Sequence, residues 1–146
     1  FTAETSGQAD LYRVRPDGTG LEQLTSHPAF DDQGALSPDG RSIAFVSTRA
    51  QGTADLWVKD LASGIERNLT HHSSGNFRPS WSPDGAWVAF TSDRDAQPGY
   101  NPGMWEHLQS TGVYIIGTDG RIIYKGGMGP FYFDPDEVEA YVAGQR

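Results

Sequence analysis

The residues of this chain whose types and spacing could support chemistry are histidines and carboxylates. His27 and His72 lie 45 positions apart, and Asp93 and Asp95 flank an arginine in the stretch TSDRD. Imidazole nitrogens bind zinc, and carboxylate oxygens bind calcium, when several of them converge on one ion. These four residues are therefore the candidate metal ligands. The simpler interpretation is that they are polar turn residues, and on that interpretation the sequence predicts no metal and no other cofactor.

Further aspartates stand directly before a glycine: Asp17, Asp39, Asp84 and Asp119. An aspartate in this position bonds its own backbone, and glycine follows because it tolerates the turn. The chain has no cysteine, which excludes thiol catalysis and disulfides. It also has no G-x-S-x-G elbow and no phosphate-binding loop. We therefore predict no catalytic residue.

The spacing of these residues follows from an internal repeat. SPDGRSIAF at 37–45 matches SPDGAWVAF at 82–90, and ADLYRV at 9–14 matches ADLWVK at 54–59, in both cases after a shift of 45 positions. The pattern predicts short strands joined by tight turns, and the proline and glycine of SPDG suit a type I turn. Four strands in about 45 residues is the size of one blade of a β-propeller.

The unit PSWSPDG, followed by IAF, DLW and LT, resembles the TolB-like propeller repeats of bacterial periplasmic and secreted proteins. The resemblance covers residues 1–120, and most closely 1–96. It implies a mainly β fold, namely a partial β-propeller of four-stranded antiparallel blades, and a periplasmic or secreted bacterial protein. Such propellers serve as partner-binding scaffolds and as modules attached to enzymes, so the repeat does not by itself decide the function.

The repeat divides residues 1–120 into a partial blade at 1–25, a blade at 28–70 and a third blade at 76–120 with an insertion at 95–110. Closed propellers have typically about 4–8 blades, so these repeats are too few to close a ring. Three explanations remain open. The chain is a fragment of a longer protein, or it completes a ring with other copies through its open blade edges, or another segment caps the partial ring.

The insertion DAQPGYNPGMWEHLQS is the predicted partner-binding segment. It lies outside the repeat, and loops on a rigid scaffold commonly carry recognition residues. Tyrosine, tryptophan and methionine are enriched at the cores of interfaces. The predicted contacts are Tyr100, Met104, Trp105 and His107. The alternative is that Trp105 only packs over the third blade.

Residues 121–146 depart from the repeat and predict a strand, a glycine-rich turn and a short C-terminal helix. Asp134 is a candidate N-cap and Pro135 suits the first helical position. The stretch VYIIGTDGRIIYKGGMGPFYFDPDEVEAYV is similar to the last strand pair and final helix of iodothyronine deiodinases and their thioredoxin-fold relatives. The nucleophile of that family is a cysteine or selenocysteine, which this chain lacks. The resemblance therefore implies a structural remnant at most, and an accidental likeness is the alternative.

Composition narrows the choice of partners. The chain has 11 basic and 19 acidic residues and a net charge of −8, which argues against a nucleic acid or an anionic membrane surface. The chain has no run of about 20 apolar residues, so the sequence does not predict membrane insertion. The sequence thus predicts a non-catalytic propeller scaffold that binds a protein or peptide. The alternatives are an accessory part of a thioredoxin-fold or hydrolytic enzyme, and a self-assembling unit that closes a propeller between chains.

Overall fold

The computed structural model describes residues 1–5, 7–50, 52–94 and 112–128, together with residues 140 and 144. Within that part of the chain, antiparallel strands form three sheets in chain order. The first sheet has three strands in the order β1-β2-β3. Their bounds are Thr2–Thr5 for β1, Gln8–Arg13 for β2 and Glu22–Gln23 for β3.

The second and third sheets each have four strands that follow one another in space as they do in sequence. In the second sheet, the strands are β4 (Asp31–Leu36), β5 (Ser42–Ser47), β6 (Asp55–Asp60) and β7 (Glu66–Asn68). In the third sheet, they are β8 (Asn76–Trp81), β9 (Trp87–Ser92), β10 (Gly112–Gly117) and β11 (Ile122–Met128). We call β4 and β8, the first strands of these two sheets, the inner strands.

The SPDG stretches form the turns between the first two strands of each four-stranded sheet. The Ser37 hydroxyl donates to the Asp39 carboxylate at 2.6 Å, and the N–H of Gly40 donates to the carbonyl of Ser37 at 2.9 Å. The same bonds recur 45 positions later, where the Ser82 hydroxyl donates to Asp84 at 2.6 Å. Identical turn chemistry sets identical strand registers, so the repeat in sequence becomes a repeat in space.

The core lies between the faces of successive sheets. Ile43 and Phe45 on β5 pack with the first sheet, whereas Ala44 and Val46, which point to the opposite face, pack with the third sheet. This division follows from the two-residue period of a strand. Because β5 is covered on both faces, it reads as a continuous apolar run rather than an alternating one.

A matching bulge in each inner strand joins the second and third sheets. Gln33 and Arg78 both have a φ of 53° and occupy equivalent positions in β4 and β8. The N–H of Arg78 donates to the Gln33 side chain at 2.6 Å, and the Trp81 indole N–H donates to the carbonyl of Ala35 at 2.9 Å. The inner strands are therefore held side by side by hydrogen bonds as well as by packing.

The predicted antiparallel units of four strands are present in the second and third sheets. The first sheet begins at β1 and has no inner strand among the described residues. β11, which lies in the segment 121–146, pairs with β10 as the fourth strand of the third sheet. The predicted C-terminal helix lies outside the described residues apart from Ala140, which is helical. In the described part of the chain, no helix has the length and apolar character needed to span a membrane.

The core makes a direct prediction for Leu56, which is fully buried between the second and third sheets. Leu56→Ala should lower the free energy of unfolding by about 2–5 kcal/mol, because it removes buried methyl groups and leaves a cavity. Ile65→Ala is the control, since Ile65 is 68% exposed, and it should change stability by less than about 0.5 kcal/mol. Urea unfolding measures both, and equal losses in the two variants would contradict this placement of the core.

Candidate functional site

The four insertion residues predicted to contact a partner lie outside the described residues. They are Tyr100, Met104, Trp105 and His107. The candidate metal ligand Asp95 also lies outside the described residues. The described candidates are the other three proposed metal ligands and the turn aspartates. Each of them has a hydrogen-bonding role that the repeat explains.

The two histidines have the same role in successive repeats. The Nδ1 atom of His27 accepts the N–H of Ala29 at 3.1 Å, and the Nδ1 atom of His72 accepts the N–H of Ser74 at 3.2 Å. Both bonds lie in the loop that leads from one sheet to the inner strand of the next. The Nδ1 lone pair is used in this bond, so each histidine contributes to the shape of its loop.

Asp93 forms two hydrogen bonds to Gly75, the residue that precedes the first strand of the third sheet. Its carboxylate accepts the N–H of Gly75 at 2.7 Å, and its own N–H donates to the carbonyl of Gly75 at 3.2 Å. In the second sheet, Thr48 makes the same pair of bonds to Phe30, at 3.3 Å and 3.1 Å. Asp93 is thus the counterpart of a threonine in a structural bond. In the described part of the chain, no group of three or more histidine, aspartate and glutamate side chains is arranged to hold a metal ion.

The turn aspartates bond their own backbone, as predicted. Asp17, Asp39, Asp84 and Asp119 each accept the N–H of the residue two positions later, at 2.9–3.1 Å. Hydrogen bonds from the Ser37 hydroxyl and the Arg41 N–H lower the pKa of Asp39, and bonds from the N–H and hydroxyl of Thr19 lower that of Asp17. Asp39 and Asp17 are therefore stabilised as anions in their turns, which is the opposite of what a general acid requires.

A buried aspartate ties the third strand of a sheet to the segment that follows it. The Asp55 carboxylate accepts the Thr70 hydroxyl at 2.6 Å and the Asn68 amide at 2.9 Å. Asp10 is its equivalent in the first sheet and accepts the Thr25 hydroxyl at 3.2 Å. In the third sheet, Gly112 pairs with Ser92 as Asp55 pairs with Ser47, so a glycine takes the place of the aspartate there.

A buried arginine network, which the sequence analysis did not find, holds each four-stranded sheet together. Arg49 donates to the Ser47 hydroxyl at 2.8 Å and to Asp31 at 2.5 Å, and it also bonds Glu66. Its guanidinium lies 4.9 Å from the ring centre of Trp57. One side chain therefore contacts all four strands of the second sheet.

Arg94 repeats this arrangement in the third sheet. It donates to the Ser92 hydroxyl at 3.0 Å and to the Asn76 side chain at 2.7 Å, and it lies 4.7 Å from the ring centre of Tyr114. The signal that could have revealed both arginines is their equivalence in the repeated stretches FVSTR and FTSDR.

A cleft of about 510 Å³ lies between the second and third sheets, beside the two SPDG turns. Pro38, Pro83, Trp81 and Arg67 are among the residues that line it. The carboxylates at its edge are the turn residues Asp39 and Asp84, which already accept bonds within their own turns. The cleft therefore offers apolar and cationic contacts rather than a carboxylate pair that could act on a substrate.

Comparison with known proteins points to one kind of propeller. No protein-family model matches the chain. A TolB homolog of Chlorobaculum tepidum is 42% identical over 133 residues, which is 87% of this chain and 26% of that protein. A TolB homolog of Chlorobium luteolum is 42% identical over 66 residues, which is 45% of this chain and 15% of that protein. The chain thus spans about a quarter or less of the length of these curated relatives.

These likenesses support a TolB-like β-propeller. The solved structure of a protein assigned as TolB in Agrobacterium tumefaciens has a similar fold, with a TM-score of 0.70, 24% identity, and coverage of 88% of this chain and 45% of that one. The predicted mainly β, partial propeller is therefore confirmed, and the three sheets are its blades. The predicted likeness of the tail to deiodinases is not shown; β10 and β11 belong to the third blade.

Enzymes share this blade architecture. Oligogalacturonate lyase of Vibrio parahaemolyticus has a similar fold, with a TM-score of 0.58, 17% identity, and coverage of 85% of this chain and 35% of that one. At that identity the likeness concerns the fold alone. Whether this chain is catalytic has to be argued from its own residues.

The arginine network yields a prediction about stability. Arg49→Ala should cost about 3–5 kcal/mol, because it leaves the Asp31 charge buried without its partner. The side chains of Arg49 and Asp31 are 7% and 0% exposed. Arg13→Ala is the matched control, since Arg13 pairs with Glu22 at the surface, and it should cost at most about 1 kcal/mol. Chemical unfolding compares the two, and a similar small loss in both would contradict the structural role of Arg49.

Glu66 yields a prediction about acid sensitivity. Burial acts to raise its pKa, but hydrogen bonds from Lys59 and Arg49 outweigh burial and hold the pKa of Glu66 below its usual value. A lowered pKa in the folded state contributes stability above the unfolded pKa, and this contribution is lost as the pH falls through the folded value. Wild type should therefore lose up to about 1 kcal/mol more than Glu66→Gln between about pH 7 and about pH 3.

The control for this comparison is Glu22→Gln, because Glu22 is about half exposed in its pair with Arg13. Its pH dependence of unfolding should follow that of wild type closely. If Glu66→Gln and wild type lose the same stability on acidification, the assignment of acid sensitivity to Glu66 is wrong.

Proposed function

We propose that this chain is a non-catalytic segment of a TolB-like propeller that binds a protein or peptide partner. The observation that carries the proposal is that the described candidates for chemistry, namely the two repeated histidines, Asp93 and the turn aspartates, make hydrogen bonds that hold the loops and turns of the repeat. His27, His72 and Asp93 bond backbone groups at the loops between blades. The turn aspartates do the same within each hairpin.

The 42% identity to a TolB homolog over 87% of this chain supports the same function. The resemblance to TolB-like repeats implies partner-binding scaffolds of the bacterial periplasm, and we propose a periplasmic location on that ground. We propose the division into propeller repeats at 1–120 and a C-terminal segment at 121–146, with the first strand of that segment, β11, completing the third blade. The partner and any further activity of the whole protein are proposals too, because this chain spans about a quarter or less of the length of its relatives.

We propose that the insertion at 95–110 supplies the contacts, through Tyr100, Met104, Trp105 and His107. The insertion joins β9 to β10 and interrupts the repeat. The neighbouring hairpins are short and are tied down by their own turn bonds, so an added loop can vary without disturbing the sheets. An acidic chain of net charge −8 would speed the encounter with a partner that carries a basic patch.

Self-assembly into a closed ring is the second candidate function. It is favoured by the first blade, in which β1 has an unpaired edge among the described residues. Exposed strand edges of this kind can pair with another chain. An accessory role in a larger enzyme is supported only by the fold that this chain shares with a lyase. That likeness says nothing about the chemistry of this chain's own residues.

Site-specific photo-crosslinking in the bacterial periplasm tests the proposed binding segment. A photoreactive phenylalanine analogue at position 105 should give a discrete adduct with another protein, because tryptophan at an interface core is fully covered by the partner. The same analogue at position 1 is the control, since Phe1 is 63% exposed and lies on the first blade. Trp105→Ala should weaken capture of the identified partner at least about tenfold, whereas Phe1→Ala should not.

The outcomes separate the candidates. Equal labelling from positions 1 and 105 would show that the insertion is not a specific contact. Adducts that contain only a second copy of this chain, together with a multimeric mass in light scattering, would replace the partner-binding proposal with the self-assembly one.

A further inference from the structure

Arg67 is an exposed cation that lines the cleft between the second and third blades. It lies on β7, directly opposite Val58 on β6. In the first blade, 45 positions earlier, these two places hold Glu22 and Arg13, which form an ion pair at 2.7 Å. In the second blade a valine stands where the partner would be. Arg67 forms no hydrogen bond or ion pair with the residues that the structure describes.

The acidic side chains near Arg67 are used elsewhere. Glu66 precedes it on β7 and therefore points to the opposite face of the sheet, where it pairs with Lys59 at 3.1 Å. Asp119, in the turn between β10 and β11, accepts the N–H of Arg121 at 3.0 Å and forms no ion pair with Arg67. The guanidinium of Arg67 can thus contact a carboxylate that a ligand supplies.

Apolar groups form the middle of the cleft. The Trp81 indole N–H already donates to a backbone carbonyl at 2.9 Å, so its ring offers carbon atoms to a ligand. Pro38 and Pro83 have no N–H, and their turns lie side by side, because a Cβ on Gly85 would be 3.7 Å from Cδ of Pro38. Val58 adds an aliphatic side chain. Grooves lined by aromatic rings bind extended, proline-containing segments in other domains.

The end of the cleft at the SPDG turns is acidic. Asp39 and Asp84 line it. The two hydrogen bonds to Asp39 from its own turn both use Oδ1, which leaves Oδ2 for a ligand. Arg41 lies close enough to interact with both Asp39 and Asp60. One guanidinium thus stands beside two carboxylates, and Asp84 adds a third negative charge, so this end attracts a cation.

The strand registers fix how far apart the two charged ends lie. Arg67 is in register with Ala44, which is two strands away and two residues beyond Ser42 at the SPDG end. Two strand spacings are about 10 Å and two residues along a strand are about 7 Å, so the diagonal is about 12 Å. An extended peptide advances about 3.3 Å per residue, so about four residues span this distance. The volume of about 510 Å³ lies within the range of about 300–1,000 Å³ that is usual for ligand sites.

We propose that this cleft is a second binding site, which takes an extended peptide with a basic and an acidic side chain about four positions apart and apolar residues between them. The acidic side chain pairs with Arg67, the apolar residues pack on Trp81 and the two prolines, and the basic side chain contacts Asp39. β9 begins after an SPDG turn and ends before the insertion, so the cleft and the insertion lie at opposite ends of the strands. Either site can therefore be lost without the other.

Fluorescence anisotropy with two labelled peptides tests the site. Their sequences are Lys-Pro-Leu-Pro-Glu and the reverse order, Glu-Pro-Leu-Pro-Lys, with both ends capped so that the side chains carry the charges. Wild type should bind at least one of them saturably. Replacing the glutamate of that peptide by glutamine should weaken binding about tenfold, because a charge-assisted hydrogen bond to the guanidinium is lost.

Charge reversal at Arg67 gives a sharper result. Arg67→Glu should reverse the preference, so that a peptide with lysine in place of the glutamate binds this variant better than the original peptide does. Arg15→Glu is the matched control, because it makes the same charge change at an exposed turn residue of the first blade. It should leave the preference as in wild type. Both side chains are exposed, so both variants should fold.

Three results would contradict the proposal. The first is that neither peptide binds wild type saturably below about 1 mM. The second is an equal change of preference in Arg67→Glu and Arg15→Glu, because the peptide would then respond to the net charge of the chain. The third is loss of peptide binding in Trp105→Ala, which would place the peptides on the insertion instead of the cleft.

Discussion

The contact between a buried arginine and the first residue of the inner strand is the interaction on which the rest of each four-stranded blade depends. Arg49 leaves the end of β5, reaches back to Asp31 at the start of β4, and lies over Trp57 on β6. Strand pairing alone would allow the sheet to slip, because backbone ladders are the same at every register. A charged side chain that has partners on each strand allows only one alignment, and the positions of the loops then follow from it.

The parts of this structure that could be predicted from sequence are those set by local chemistry. The SPDG turns, the strand order within a blade and the structural bonds of Asp10 and Asp55 all follow from short stretches and their repetition. The arginine network could not be predicted in the same way. Arginine is usually found at the protein surface. The burial of Arg49 depends on Asp31 and Trp57, which are brought together only by the folded sheet.

The insertion at 95–110 is the part of the chain about which the repeat predicts least. Its residue types suggest recognition, but Trp105 has no counterpart one repeat away, so no second copy indicates its environment. The same architecture supports scaffolds and enzymes, because the blades fix only the positions of the loops. In this chain the repeated polar groups are used to hold the blades, which leaves the non-repeated segment as the place where a specific function can be added.

Gly112 has a consequence for where this repeat can accept an insertion. The Asp55 carboxylate accepts a bond from Asn76 of the next blade, so a longer hairpin before Asp55 would displace a residue that joins two blades. At Gly112 that carboxylate is absent, and a longer hairpin before it costs no bond of this kind. The insertion at 95–110 lies in that hairpin. Among the blades of this chain, the added loop therefore stands where the following strand has no carboxylate to hold in place.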